Sequence, residues 1–200
     1  IDTSISNSKF DNYAKEKSYL NSLEKYCLPS LNLKKIKNFV YSCEEEKDLK
    51  TRLYSKPYRI IIDPTNVCNL GCPLCPTGLG ASTRIKKILK FDLFKKIIDE
   101  TFDYAIEVHL YNWGEPTLNK HLIKMLKYCS EKNIWTRIST NLSLDFKDEY
   151  IEELLLSGLD LLHVDLDGLD QKVYEKYRKK GNINLFYKNL EKIKKIKKKH

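Results

Sequence analysis

Residues 65–78 read TNVCNLGCPLCPTG. Cys68, Cys72 and Cys75 follow the spacing C-x3-C-x2-C and come just after the apolar run 58–62, which predicts a buried strand. The thiols therefore sit on a loop held by a rigid element. Three thiolates this close can address one object if the loop wraps it. Gly71 is expected to permit a turn that bulkier residues resist, and Pro73 and Pro76 stiffen the remainder. A metal ion or cluster is the natural occupant. Zinc calls for a fourth protein ligand, and this loop supplies no fourth Cys or His; an iron-sulfur cube on three cysteines leaves one iron open. The bland alternative is three small buried hydrophobes.

Working outward, strand and helix patterns alternate. Residues 58–62 predict a first strand and 91–102 a helix with Phe94, Ile97, Ile98 and Phe102 on one side. Residues 105–111 predict a second strand, and 121–132 a helix whose Leu122, Met125, Leu126 and Cys129 face one way. A third strand is expected over 134–140, then a helix over 146–156 with Asp145 as N-cap and Gly158 closing it. A fourth strand over 160–165 precedes helices over 171–178 and from about 185. Strict alternation argues for parallel strands with right-handed crossovers, as an open doubly wound sheet or a (β/α) barrel. In both, ligands lie beyond the carboxyl ends of the strands. The polar signatures gather there: the cysteine loop, YNWGEP at 111–116, STN at 139–141 and DLDG at 165–168. Upstream, Tyr19, Leu23 and Tyr26, then Leu33, Ile36 and Val40, predict two helices separated by Pro29. They make residues 1–56 a helical extension and 57–200 the core.

With these motifs in this order, the chain from residue 58 to residue 200 resembles the radical S-adenosylmethionine (SAM) enzymes. The resemblance implies Cys68, Cys72 and Cys75 as ligands of a [4Fe-4S] cluster whose open iron chelates the amino and carboxylate groups of S-adenosyl-L-methionine. One electron then splits SAM into methionine and a 5'-deoxyadenosyl radical that abstracts hydrogen from a substrate. Leu74 stands where many members carry an aromatic residue.

The motif at 112–116 is similar to the family's GGE-type motif, with Trp113 replacing the first glycine. It implies close backbone approach to a ligand at Gly114 and acceptance from the SAM amino group at Glu115. Asn141 resembles the asparagine of the T-N motif. Residues 163–168 look like the S-x-D-G segment, with Asp165 where many relatives have serine; a carboxylate there can accept from a ribose hydroxyl but would repel the SAM carboxylate, and Asp167 is the closer match. Residues 174–181 resemble Y-x-x-Y-R-x-x-G, implying Arg178 on the SAM carboxylate. His109, Tyr111 and Trp113 are further candidates for the pocket wall. Without the resemblance, these segments read as a turn before a helix, local backbone capping, an Asp-Gly turn and a surface arginine.

The implied fold is α/β, a partial (β/α) barrel of radical SAM type, cut after about four βα units and preceded by a helical extension. Strands five and six would follow residue 200, so a longer protein is expected. The motif set most resembles the branch that often carries a C-terminal SPASM domain. That branch makes a peptide or protein the leading substrate, with a small molecule as alternative and a flavodoxin or ferredoxin as reductant. A non-catalytic zinc or iron-sulfur module is the competing class.

Composition sets bounds on these readings. The chain has 200 residues, 42% of them hydrophobic, enough for one core. Its six cysteines form one cluster and three singles, Cys27, Cys43 and Cys129, which suits a reducing cytoplasm better than a disulfide framework. No run is long and apolar enough to span a membrane. The net charge of +9 comes from diffuse lysine. The dense run 192–200 shares a helical pattern with Phe186, Leu190, Ile193 and Ile196, which puts its lysines on a solvated face. Nucleic acid is therefore not the expected partner.

Overall fold

A computed structural model describes Leu23 and residues 31–200 except 82. Four strands, β1 (Arg59–Ile61), β2 (Glu107–His109), β3 (Trp135–Thr140) and β4 (Leu161–Val164), form one sheet in the order β1-β2-β3-β4. Every pair is parallel. Each crossover thus steps to the next position in the same sense. A doubly wound sheet reverses its order at a switch point, and these four strands do not, so the partial barrel is the architecture present.

The helices are α1 (Leu33–Lys47), α2 (Phe91–Thr101), α3 (Leu122–Glu131), α4 (Asp148–Leu155), α5 (Gln171–Tyr177) and α6 (Ile183–Lys199). Phe94 and Ile98 of α2 and Leu122, Met125, Leu126 and Cys129 of α3 pack on Val108, Leu110 and Ile138 in the main core. These are the apolar faces expected from sequence. Strand alternation turns Glu107, His109, Arg137 and His163 to the opposite face. A second cluster joins Ile151 of α4 to Phe186 and Ile193 of α6. The terminal lysines reach back across this joint: Lys192 pairs with Asp148 and Lys199 with Glu152. Phe146 turns back onto Tyr150 instead of starting the helix, so α4 begins after Lys147, which makes no side-chain cap. Asp145, expected to cap it, pairs with Lys188. Gly158 closes α4 with φ +83°. Asn182 caps α6 by accepting from Asn184 N, so that helix starts two residues before the expected 185.

The first expected N-terminal helix lies outside the described residues except for Leu23, which packs with Phe39 of α1 and Ile106. Tyr58 and Trp135 join this cluster, so α1 crosses the amino ends of the strands, away from the cysteine loop. Its inward face uses Phe39 and Lys35; Leu33, expected there, is exposed. The Lys35 ammonium is buried and donates to Asn133 O at 2.8 Å and Lys132 O at 3.5 Å, satisfying carbonyls at the end of α3. The described cysteines Cys43, Cys68, Cys72, Cys75 and Cys129 are free thiols, and among the described residues no helix is long and apolar enough to cross a membrane.

Burial lowers the Lys35 pKa to about 8, against the pull of Asp103. The unfolded chain keeps that proton up to about 10.5, so it binds more protons than the folded state between these values. The contribution of this group to stability therefore rises with pH from about 8 to 10.5. Urea unfolding followed across that range should show this rise in the wild type and its loss in Lys35→Met.

Candidate functional site

Beyond the carboxyl ends of the strands, Cys68, Cys72 and Cys75 line one cavity of about 250 Å³ together with Gly114, Glu115 and Arg178. Asn141 and Asp165 line it as well, as do Tyr111 and Trp113. Asp167 does not; it pairs with Arg178. His109 also stays out, buried against Glu107 and stacked on Tyr111.

Glycine sets the shape of the loop, though not the glycine expected. A Cβ on Gly71 would meet only ordinary contacts, the nearest at 3.6 Å, and its φ is not left-handed. The turn is instead held by Gly71 N donating to Lys179 O at 2.9 Å and Cys75 N donating to Cys72 O at 3.2 Å. At Gly78 a Cβ would lie 2.5 Å from both N and O of Cys72, so only glycine lets the loop fold onto itself. Gly114 serves packing too: its Cβ would lie 1.9 Å from Thr65 O and 3.0 Å from Val67 O. Its close approach is to the backbone leading into the cysteines, where Glu115 N donates to Val67 O at 2.9 Å.

Glu115 is almost wholly buried. Its Oε1 accepts from Thr117 N (3.2 Å), Thr117 Oγ1 (2.6 Å) and Thr140 Oγ1 (2.8 Å), and its Oε2 from Asn141 N (2.9 Å). Burial raises its pKa, and these hydrogen bonds oppose the rise. One carboxylate thus ties the end of β2 to the end of β3, while Oε2, with one donor, keeps acceptor capacity. Asn141 continues the chain of contacts: its Nδ2 donates to Asn69 Oδ1 at 2.9 Å and lies 3.9 Å from Cys68 Sγ. Arg178 is less available than expected, since it pairs with Asp167 and lies 3.9 Å from Asp165 Oδ2. Asp165 also accepts from Ser139 Oγ at 2.8 Å. Sequence reasoning missed Gly78, Asn69, Thr117 and Asp63, whose Oδ1 accepts from Trp113 N at 3.0 Å. None carries a spacing signal; each is found only where two loops meet.

The donor set fits an iron-sulfur cluster. The cavity offers three thiols, and the nearby carboxylate of Glu115 is already engaged by four donors. Burial pushes the Cys68 thiol up to about 11 and raises Cys72, the latter eased by Arg178. Such thiols give up their protons at neutral pH to a bound cation.

A family model described as the Radical SAM superfamily matches residues 62–200. The PqqA peptide cyclase of Bradyrhizobium diazoefficiens is 27% identical over 148 residues, 74% of this chain and 38% of that protein. A probable GTP 3',8-cyclase of Methanococcus maripaludis is 29% identical over 137 residues, 68% and 45% of the two chains. The chain spans less than half the length of these curated relatives. Among solved structures, native anSMEcpe with bound AdoMet aligns with a TM-score of 0.60 at 20% identity, covering 70% of this chain and 42% of that one. Streptococcus suis SuiB bound to S-adenosylmethionine aligns with a TM-score of 0.54 at 23% identity, covering 87% and 41%. These two likenesses show the shared fold.

The three glycines make a graded test. Gly78→Ala and Gly114→Ala should each cost about 3 kcal/mol of stability, because backbone must move. Gly71→Ala should stay within about 0.5 kcal/mol. Thermal unfolding of the three variants against wild type measures the order.

Proposed function

The chain belongs to the radical SAM superfamily, and on that premise we propose that Cys68, Cys72 and Cys75 hold a [4Fe-4S] cluster beside a SAM site. The observation that carries this reading is the convergence of three thiols, Glu115, Asn141 and Arg178 on one cavity at the carboxyl ends of parallel strands. The bound pair supplies the electron and the sulfonium whose reductive cleavage yields a hydrogen-abstracting 5'-deoxyadenosyl group.

The chain's own residues bind and orient. The free acceptor capacity of Glu115 Oε2 suits the amino group of SAM, and the Arg178 guanidinium, which lines the same cavity, suits its carboxylate. Asp167 positions that guanidinium. Asp165, with Ser139 at its side, suits a ribose hydroxyl. Asn141 steadies Cys68 through Asn69.

A peptide or protein is the leading substrate class and a small molecule the alternative. Relatives named for each, a peptide cyclase and a GTP cyclase, resemble this chain to nearly the same degree. SuiB, of the same fold, is known bound to a precursor peptide. The electron donor is a low-potential reductant such as a flavodoxin or ferredoxin, and the oxygen-sensitive site suits the cytoplasm.

Anaerobic reconstitution should load about four irons and four sulfides per chain. Loading should collapse in Cys68→Ala, Cys72→Ala and Cys75→Ala. Reduction with dithionite in the presence of SAM should then release 5'-deoxyadenosine. Zinc without sulfide, or a full cluster that never cleaves SAM, is the result expected of a non-catalytic module.

A further inference from the structure

The sheet face turned away from the helices carries polar side chains that SAM binding does not use. Glu107 is paired with Arg59 and lies 3.1 Å from His109 Nε2. His109 stacks on Tyr111, with centroids 5.7 Å apart. The Arg137 guanidinium lies 5.5 Å from the centre of the Tyr111 ring, and its Nη2 donates to His163 Nδ1 at 3.0 Å. Nδ1 is then the acceptor and Nε2 carries the proton. His163 Nε2 lies 3.6 Å from Asp165 Oδ1.

Position ties this group to the cavity. Tyr111, Ser139 and Asp165 line the cavity. Arg137 and His163 precede Ser139 and Asp165 by two residues, on the same face and one step deeper. Charge then separates Arg137 from its neighbours. Glu107 already has Arg59, and Asp165 has Ser139 and Arg178. Among the described residues no carboxylate lies within ion-pair distance of Arg137, and its Nε–H is buried without a partner. A partly buried guanidinium facing only a ring and a neutral imidazole lacks its counter-charge. Its planar fork matches a carboxylate or a phosphate in geometry and charge.

We propose that Arg137, positioned by His163 and Tyr111, receives an anionic group of the substrate, a carboxylate or a phosphate, on the strand face just beneath the cavity residues Tyr111, Ser139 and Asp165. The inference rests on the radical SAM reading for its role: a substrate anchored by one anionic end at this depth keeps the remainder in the space shared with the three thiols. It narrows both substrate classes to acidic members. A peptide would present an acidic side chain or its carboxyl terminus, and a small molecule an acid or phosphate ester.

The test uses cluster-free protein labelled with 15N-arginine, titrated at constant ionic strength with glutarate, inorganic phosphate or neutral glutaramide. Glutarate or phosphate should move the Arg137 Nε–Hε resonance saturably, the tighter of the two naming the group, while glutaramide leaves it in place. Arg137→Lys assigns the resonance by its disappearance. Should that variant fail to fold, His163→Ala keeps the guanidinium and should weaken anion binding about tenfold. An unmoved resonance overturns the proposal, as does movement no larger than that of the exposed Arg52. Movement caused by S-adenosylhomocysteine in place of glutarate gives Arg137 to the cofactor and also overturns it. Iron and sulfide analysis separates the two readings. A chain that cannot hold a cluster sinks the radical SAM assignment, whereas a loaded chain with an indifferent Arg137 sinks only the anion subsite.

Discussion

The site depends on a single buried carboxylate. Glu115 accepts hydrogen bonds from Thr117, Thr140 and Asn141, joining two loops that leave different strands. Removing an ionised group from water is costly, and only a full set of donors offsets that cost. The donors are a backbone N–H and a hydroxyl from its own turn, a hydroxyl on β3, and the amide that follows it. Their positions are fixed only if β2 and β3 are in register, as His109 opposite Arg137 requires. The neighbouring Gly114 then presses on Thr65 and Val67, so the same turn sets the height at which the cysteine loop begins. Sheet register, buried carboxylate and thiol placement form one chain of constraint.

Much of this was legible in sequence because periodicity and motif spacing are local. The faces of α2 and α3 follow from helical spacing alone, and packing obeys it. The three cysteines and the Gly114–Glu115 pair were marked by order along the chain. What was not legible depends on contacts between segments distant in sequence. Gly71 and Gly78 look alike in one dimension; only the fold of the loop on Cys72 shows which tolerates no side chain. Asp145 had the chemistry of a cap, yet Lys188 on a distant helix took its charge. Lys35 is buried where α1 meets the end of α3, whose carbonyls accept from it.

The two faces of the sheet divide the work. One is apolar and held against helices, which fixes the strands; the other carries ionic and aromatic side chains into the barrel interior. Rigidity on the first face fixes the spacing of the side chains on the second. The helix α1 lies across the amino ends, remote from the thiols, and reinforces the scaffold through Phe39 and Lys35.

A catalytic role for the proposed cluster requires one of its irons to be open to SAM. Electron paramagnetic resonance of the reduced, reconstituted protein, with SAM carrying a 15N-labelled amino group, measures this directly. The expected result is a cluster signal that changes on adding SAM and shows coupling to the labelled nitrogen. A full cluster whose signal is indifferent to SAM would contradict it.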